Sequence, residues 1–378
     1  MEYFINLIWT NGASFLFILT VIVFFHELGH YAVARANGIR IEVFSIGFGP
    51  ELFGWTSKSG TRWKVSLLPL GGYVKMFGET MSGAGDDEHL ELTEEEQSVS
   101  FHHKTVWQRS AVVVAGPLAN FVLAVVVLSV LFATDGQPFT PPEAGRIIPG
   151  SAAQAAGMKA GDTFVKVGSL NIERFEDLQN VVRLSPGKKM TLVVRRDGRN
   201  VALEVVPKKK TMVDRFCGKT EIGLLGVHGP VRKYIQHDLL ESVYRAAVDI
   251  WRFSVFTLEA VGQMITGRRS ADGLGGPIRI AQISGEVAER GLGSLFWFLA
   301  ILSMNLGLIN LFPIPMLDGG HLVFYGIEAI QGRAVSDRIM EYGFRVGLGL
   351  VICLFVFVTF QDLCRFEFIA NFFKVCTC

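Results

Sequence analysis

The segment ASFLFILTVIVFFHELGHYAVA, Ala13 to Ala34, decides how the whole chain is read. It is long and apolar enough to cross a hydrocarbon core of ~30 Å, which takes about 20 residues of helix. Yet His26-Glu27-Leu28-Gly29-His30 sits near its end. A charged residue at the centre of a span costs about 2.5–3.5 kcal/mol even on mild scales, and such residues are functional by default. On a helix, positions i and i+4 share a face. Both imidazoles can therefore reach one Zn2+ at about 2.0–2.1 Å. Glu27 then stands beside the metal, where it can take a proton from water. The bare pattern HExxH also arises by chance in soluble helices, and its blander reading is a hydrated interfacial end of the span. Its position inside a span favours the metal.

A cleavable signal peptide is a second reading of the same segment, because Ala32-Val33-Ala34 resembles a cleavage site. Against it, residues 1–12 contain no Lys or Arg, so the basic n-region is missing.

Half of the 378 residues are apolar, 30 of them Phe, and mean hydropathy is +0.36. Soluble domains are rarely so apolar, which directs the search to further spans. Ala111–Ala133, Leu295–Ile314 and Val346–Phe360 with its flanks qualify. A net charge of +1 and the lack of a basic tract interleaved with aromatics give no sign of nucleic-acid binding. Cys217, Cys353, Cys364, Cys376 and Cys378 contain no CxxC pair and are odd in number, so no disulfide framework is expected. Cys376 and Cys378 could still pair or bind metal with a partner.

Lys and Arg set the orientation. The loop after the first span carries Arg35, Arg40, Lys58, Arg62, Lys64, Lys75, Lys104 and Arg109, and the loop after the third carries Arg333, Arg338 and Arg345. The tail has only Arg365 and Lys374. Positive-inside logic places both loops in the cytoplasm, with both termini and the long segment 134–290 outside. The expected fold class is a multi-pass α-helical membrane protein with four transmembrane helices, a membrane-associated β-hairpin region and one extracytoplasmic α/β domain. The expected boundaries are a first helix over 1–36, a cytoplasmic or re-entrant β region with an acidic loop over 37–108, and a second helix over 109–134. An outer domain over 138–230 and an amphipathic membrane-surface segment over 231–290 follow. The third helix with the LDG segment takes 292–321, a cytoplasmic loop 322–345, and the fourth helix with its tail 346–378.

Between the first two spans, IEVFSIGFGPELFGW and TRWKVSLLPLGGYVKMFGE are β-rich and apolar, and Lys58-Ser59-Gly60 reads as a hairpin turn. Two readings stand: a sheet dipping into the membrane interface, whose backbone must be covered by protein or line a wet cavity, and a small cytoplasmic sheet. Asp86–Gln97 holds seven acidic residues and no Lys or Arg, as a solvated loop or helix face does. In Ala115-Gly116-Pro117-Leu118-Ala119-Asn120 the small residues allow close helix packing, and Asn120 reads as a hydrogen-bond partner inside the bundle.

In the outer segment the expected order is strand (146–148), short helix capped by Ser151 (152–156), strand (163–167), amphipathic helix (175–184) and a hairpin turning at Asp197-Gly198. A further strand, 221–229, returns to this domain. The run IIPGSAAQAAGMKAGDTFVKVGSLNI resembles a PDZ domain of the permuted bacterial type. Such modules add an extended peptide to a sheet edge beside a helix, although other small α/β modules share the element order. Leu239–Ile265 reads as a long amphipathic helix, broken by Gly273-Leu274-Gly275-Gly276-Pro277.

Two histidines leave a zinc ion one protein ligand short. The third should lie at the same depth in another span. His26 lies about 13 residues, or ~20 Å, into the first span, and Asn310 about 15 residues, or ~22 Å, into the third, which runs in the same direction. The segment NLGLINLFPIPMLDGG, broken by Pro313 and Pro315, thus reaches the level of HELGH and offers Asp318. A helix-capping carboxylate is the plainer reading of that residue. His321 competes but ranks lower, because a carboxylate balances charge and Gly319-Gly320 lets the backbone approach. His89, His102 and His103 lie outside the spans, and His228 and His237 in the outer segment. Asn310 could donate to an oxyanion or to substrate backbone, or simply join helices.

FFHELGH, GGYVKM, AGPLAN, the PDZ-like unit, GGPIRIAQ and NLFPIPMLDGGH, in this order over nearly the whole chain, resemble the site-2 protease family of intramembrane zinc metalloproteases, in its bacterial sigma-factor-regulating branch. The resemblance implies His26, His30 and Asp318 as ligands of Zn2+, Glu27 as catalytic acid/base, and Asn310 as a substrate-handling residue. It also implies that the hairpin around Gly71–Met76 engages substrate as an added strand. The implied activity is hydrolysis of a peptide bond within or near the transmembrane segment of a single-pass membrane protein, such as an anti-sigma factor already trimmed outside or a remnant signal peptide. The implied setting is the bacterial inner membrane, with termini and PDZ unit periplasmic and the site toward the cytoplasm. Many members of the branch carry two PDZ units in tandem; this chain shows one. An intramembrane metal transporter and a non-catalytic PDZ adaptor are the competing classes. A transporter usually lines its path with polar residues in several spans, whereas the second and fourth spans here are nearly pure hydrocarbon.

Overall fold

The computed structural model describes residues 2–78, 92–213, 219–231, 233–267 and 275–364. Asp86–Glu91 of the acidic run, His89 among them, lie outside the described residues, as do Cys217, Gly273, Leu274, Arg365, Lys374, Cys376 and Cys378.

In chain order, helix α1 (Glu2–Ala36) leads into strands β1 (Ile41–Thr56) and β2 (Arg62–Met76), the short helix α2 (Glu94–Val99) and helix α3 (Val106–Thr134). Then come β3 (Gln137–Phe139), β4 (Arg146–Ile147), α4 (Ala152–Ala155), β5 (Thr163–Val167), β6 (Leu170–Asn171), α5 (Phe175–Arg183), β7 (Met190–Arg196) and β8 (Arg199–Val205). Short strands β9 (Lys208–Val213), β10 (Lys219–Leu224), β11 (Val227–His228) and β12 (Lys233–Ile235) follow. The chain ends in helices α6 (Leu239–Ile265), α7 (Pro277–Glu289), α8 (Leu292–Asn310), α9 (Asp318–Gln331) and α10 (Asp337–Cys364).

Among the described residues four helices are long and apolar enough to cross a membrane: Asn11–Ala36 within α1, α3, α8 and Arg338–Leu363 within α10. Two expected boundaries move. The second helix begins at Val106, where Thr105 opens it by accepting from Gln108 N–H. Residues 322–345, expected as a loop, are mostly helical: α9 continues to Gln331 and α10 starts at Asp337. The physical reason is α9's own apolar face, which buries Tyr325 in a core with Ile39, Phe44 and Val112.

The chain divides into two units, one of residues 1–130, 241–259 and 275–362 and the other of residues 131–240, 260–274 and 363–378. In the first, α1 ends where Gly38 takes a left-handed conformation (φ 69°) and Ile39 N–H returns to Ala34 O. The turn expected at Lys58-Ser59-Gly60 forms, closed by Ser57 N–H to Thr61 O at 2.9 Å. β1 and β2 are both bent, so they pair more than once. Residues 72–76 lie beside 41–46, residues 62–65 beside 43–46, and 62–66 also beside 51–56. One part of this hairpin is anchored, with Phe44 stacked on Trp63 at 4.2 Å and Tyr31 of α1 against both rings. The other part exposes Leu52 and Phe53 by 64% and 65%, together with Phe48, Leu67, Leu68 and Leu70. Exposed apolar side chains gathered in one part of a hairpin are of the kind that membrane and binding surfaces carry. A second core joins α1, α3 and α8 through Ile18, Ile22, Leu123, Leu295 and Leu299.

The second unit centres on a four-stranded sheet of order β6-β5-β7-β8. β7 and β8 turn at Asp197 (φ 49°) and Gly198 (φ 79°), as the Asp-Gly pair dictates. Phe164, Leu192 and Val194 of the sheet pack on Phe175, Leu178 and Val182 of α5 and on Ala152 and Ala153 of α4. Ser151 caps α4, accepting from Gln154 N–H. The expected returning strand is split: β10 pairs with β9 and β11 with β4.

Candidate metal centre

His26 and His30 lie one turn apart on α1, with ring centroids 4.8 Å apart and Nε2 atoms 3.2 Å apart. Each residue is only 9% exposed. What stands behind the rings fixes which nitrogen faces inward. His30 Nδ1–H donates to the Val112 carbonyl of α3 at 2.8 Å, leaving Nε2 as the lone-pair donor. Pro117 in α3 has no N–H for the Val113 carbonyl and crowds it, which loosens the helix at this turn. His26 Nδ1 lies 3.3 Å from the side-chain amide nitrogen of the fully buried Asn120, whose own amide oxygen has no partner. Turning that amide over lets its oxygen accept the Nδ1 proton, so His26 also presents the Nε2 lone pair.

Asp318 enters from α9, whose first residue it is, where a carboxylate also favours the helix dipole. Its oxygens lie 3.3 Å from His26 Nε2 and 3.7 Å from His30 Nε2. Its Oδ2 is buried and accepts no hydrogen bond. Two imidazole nitrogens and a carboxylate oxygen that accepts no hydrogen bond converge here, with only the Asn310 amide, 3.4 Å from His26 Nε2, as a donor beside them, and such a cluster of acceptors is stabilised by a cation among them. The spacing fits one. Ligand atoms 2.0–2.2 Å from a tetrahedral zinc lie about 3.3–3.6 Å from each other. Among the described residues, these three form the one group of His, Cys, Asp or Glu with metal-ligand spacing.

The model of peptidase family M50 matches residues 14–354. The chain belongs to this family. It is 42% identical over 356 residues to a candidate zinc metalloprotease of Rhizobium meliloti, covering 93% of this chain and 95% of that protein. It is 44% identical over 357 residues to a similarly named protein of Brucella suis, covering 92% and 94%. Metalloprotease MmpA of Caulobacter vibrioides is 37% identical over 388 residues, covering 95% of this chain and 98% of its own. The family agrees with the resemblance that the HELGH and LDGG segments carry.

The other expected site residues of this M50 peptidase have their own places. Glu27 is half-buried beside β2: a Cβ at Gly72 would stand 3.2 Å from Glu27 Cγ. Asn310 ends α8 with its amide nitrogen 3.4 Å from His26 Nε2. His321, the competing third ligand, packs instead against the rings of Phe344 and Tyr325, at 5.0 and 6.4 Å, and is not in the three-residue group. Close helix approach makes the arrangement possible. A Cβ at Gly29 would overlap the Ala115 carbonyl, and one at Gly116 would overlap the His30 ring and come within 2.9 Å of His26 Cε1. Ser303 of α8 donates to the Asn120 carbonyl at 2.8 Å, holding a third helix to the same spot.

Sequence reasoning gave Asn120 a hydrogen bond within the bundle but did not aim it at His26. Its place in the AGPLAN segment was the available signal. The Val112 carbonyl left no signal, since any residue carries one.

Proposed function

We propose that this M50 peptidase is an intramembrane zinc endopeptidase that cleaves a single-pass membrane protein within or near its transmembrane segment. His26, His30 and Asp318 hold the metal. The observation that carries the reading is their convergence, with an orphaned carboxylate oxygen, between helices apolar enough to span a bilayer. Zinc bound there supplies a Lewis acid that acidifies water and polarises a peptide carbonyl.

The chain's own groups do the rest. Glu27 takes the proton of the attacking water and delivers it to the departing amine. Asn310, at the end of α8 beside His26, donates its amide N–H to the developing oxyanion. A helical substrate must unwind before its amide is accessible, and an added strand holds it extended. Residues 72–76 suit that role, because they pair on one side with 41–46 and Gly72 stands against Glu27. The patch around Leu52 and Phe53 lets the hairpin enter lipid. The second unit, in this reading, is a single PDZ-like module over 138–230 in the periplasm. Both termini are periplasmic and the site faces the cytoplasmic side of the inner membrane in this reading, which the Lys and Arg distribution supports.

The test is cleavage of a model transmembrane peptide by the purified protein, with zinc content measured alongside. Chelation should abolish cleavage and added zinc restore it. Glu27→Gln should keep the zinc and lose about 10²–10⁴-fold in rate. A Glu27→Gln protein that cleaves normally would end the proposal, and a transporter or adaptor would keep its function in that variant.

A further inference from the structure

The turn between α8 and α9 determines where Asp318 stands, and its sequence is stiff. Pro313 and Pro315 fix two φ angles near −65°. Ile314 N–H closes on Phe312 O at 2.7 Å and Leu317 N–H on Ile314 O at 3.0 Å. Met316 is held at φ 94°, a conformation that costs an L residue energy and persists only when its surroundings impose it. Met316 itself is 46% exposed. The residue before it, Pro315, is packed against two glycines. A Cβ at Gly320 of α9 would stand 2.7 Å from Pro315 Cα. A Cβ at Gly347 of α10 would overlap the Pro315 carbonyl oxygen and come within 2.9 Å of Pro315 Cβ. The other glycines of α10 are different. Gly349 has nothing within 4 Å, and Gly343 meets only the Phe324 ring, which can swing away.

We propose that Gly347 is a positioning residue for the metal centre: through it α10 seats on Pro315 and fixes the Asp318 carboxylate opposite His26 and His30. The inference rests on the zinc-peptidase reading. A side chain at 347 must push the Pro315 carbonyl by about 1.5 Å to regain ordinary contact. Neither proline can rotate φ to absorb that shift, so it reaches Asp318, three residues on. Metal–ligand distances tolerate only about 0.2 Å.

The experiment uses the full-length protein in lipid nanodiscs. Zinc affinity is measured by chelator competition for wild type, Gly347→Ala and Gly349→Ala, with the melting temperature of each zinc-free protein. Gly347→Ala should lose at least about tenfold in affinity, the range seen when a ligand loses its support, while Gly349→Ala matches wild type. A second measurement needs no variant. Coupling is reciprocal, so zinc removal from wild type should speed amide exchange around Gly347 as well as around His26 and Asp318. Wild-type affinity in Gly347→Ala, or exchange that changes only in α1 and α9, would overturn the inference. Failure of the peptidase reading would show differently, as a wild type that retains no zinc.

Discussion

Two aspartates, Asp162 in the second unit and Asp318 in the first, differ in how their oxygens are answered. Asp162 in the second unit is complete. Its side chain is 1% exposed, Arg196 donates to both oxygens at 2.7 Å, and Lys159 N–H adds a third bond at 2.8 Å. Asp318 is incomplete. It faces two imidazole lone pairs, and one of its oxygens accepts nothing. A buried carboxylate with both oxygens answered by an Arg is a finished ion pair. One with an oxygen that accepts nothing, and with two imidazole nitrogens turned toward it, has the donor set that suits a cation.

Exchanging the two losses breaks the comparison most directly. Asp318→Ala should leave the fold intact and strip the protein of stoichiometric zinc, read by elemental analysis, with cleavage lost together with the metal. Asp162→Ala should do the reverse: zinc content stays at the wild-type level while the second unit melts several degrees lower. Asn120→Ala sharpens the picture on the histidine side. Losing the group that orients His26 should weaken zinc by about 10–100-fold without removing any ligand, measured by chelator competition.

The smallest effect is a pH dependence confined to the second unit. Burial raises the Asp162 pKa, but the Arg196 hydrogen bonds and the Lys159 N–H outweigh it, so the net value lies below the usual 3.9. A lowered folded pKa stabilises the charged form. Its contribution is full above the unfolded value near 4 and is lost as pH falls through the folded value. Amide exchange in β5 and β7 of the full-length protein, compared with Asp162→Asn at each pH, should show a wild-type advantage at pH 6 that fades below about pH 4.

The features legible in the sequence are local ones. HELGH pairs two histidines through helix periodicity alone, and Asp197-Gly198 forms its turn from backbone preference alone. Asp318 takes one step more, a count of depth along two spans. The features that escape the sequence depend on tertiary contact. Residues 322–331 are interrupted by Gly326 and are too short to span a bilayer, so they resemble a loop until Tyr325 finds its core. The double pairing of β1 with β2 arises from bends that no two-residue period announces. The support of His30 by a backbone carbonyl has no side-chain signature, and Gly347 looks like any glycine of an apolar span until Pro315 lies against it.

The central claim is that two imidazoles and one distant carboxylate share a single zinc ion. X-ray absorption spectroscopy of the zinc-loaded protein tests it most directly. The account predicts only nitrogen and oxygen ligands at about 2.0–2.2 Å, with the outer scattering of two imidazoles, and a changed spectrum in Asp318→Ala. Sulfur ligands near 2.3 Å, or a spectrum and zinc content untouched by Asp318→Ala, would contradict it.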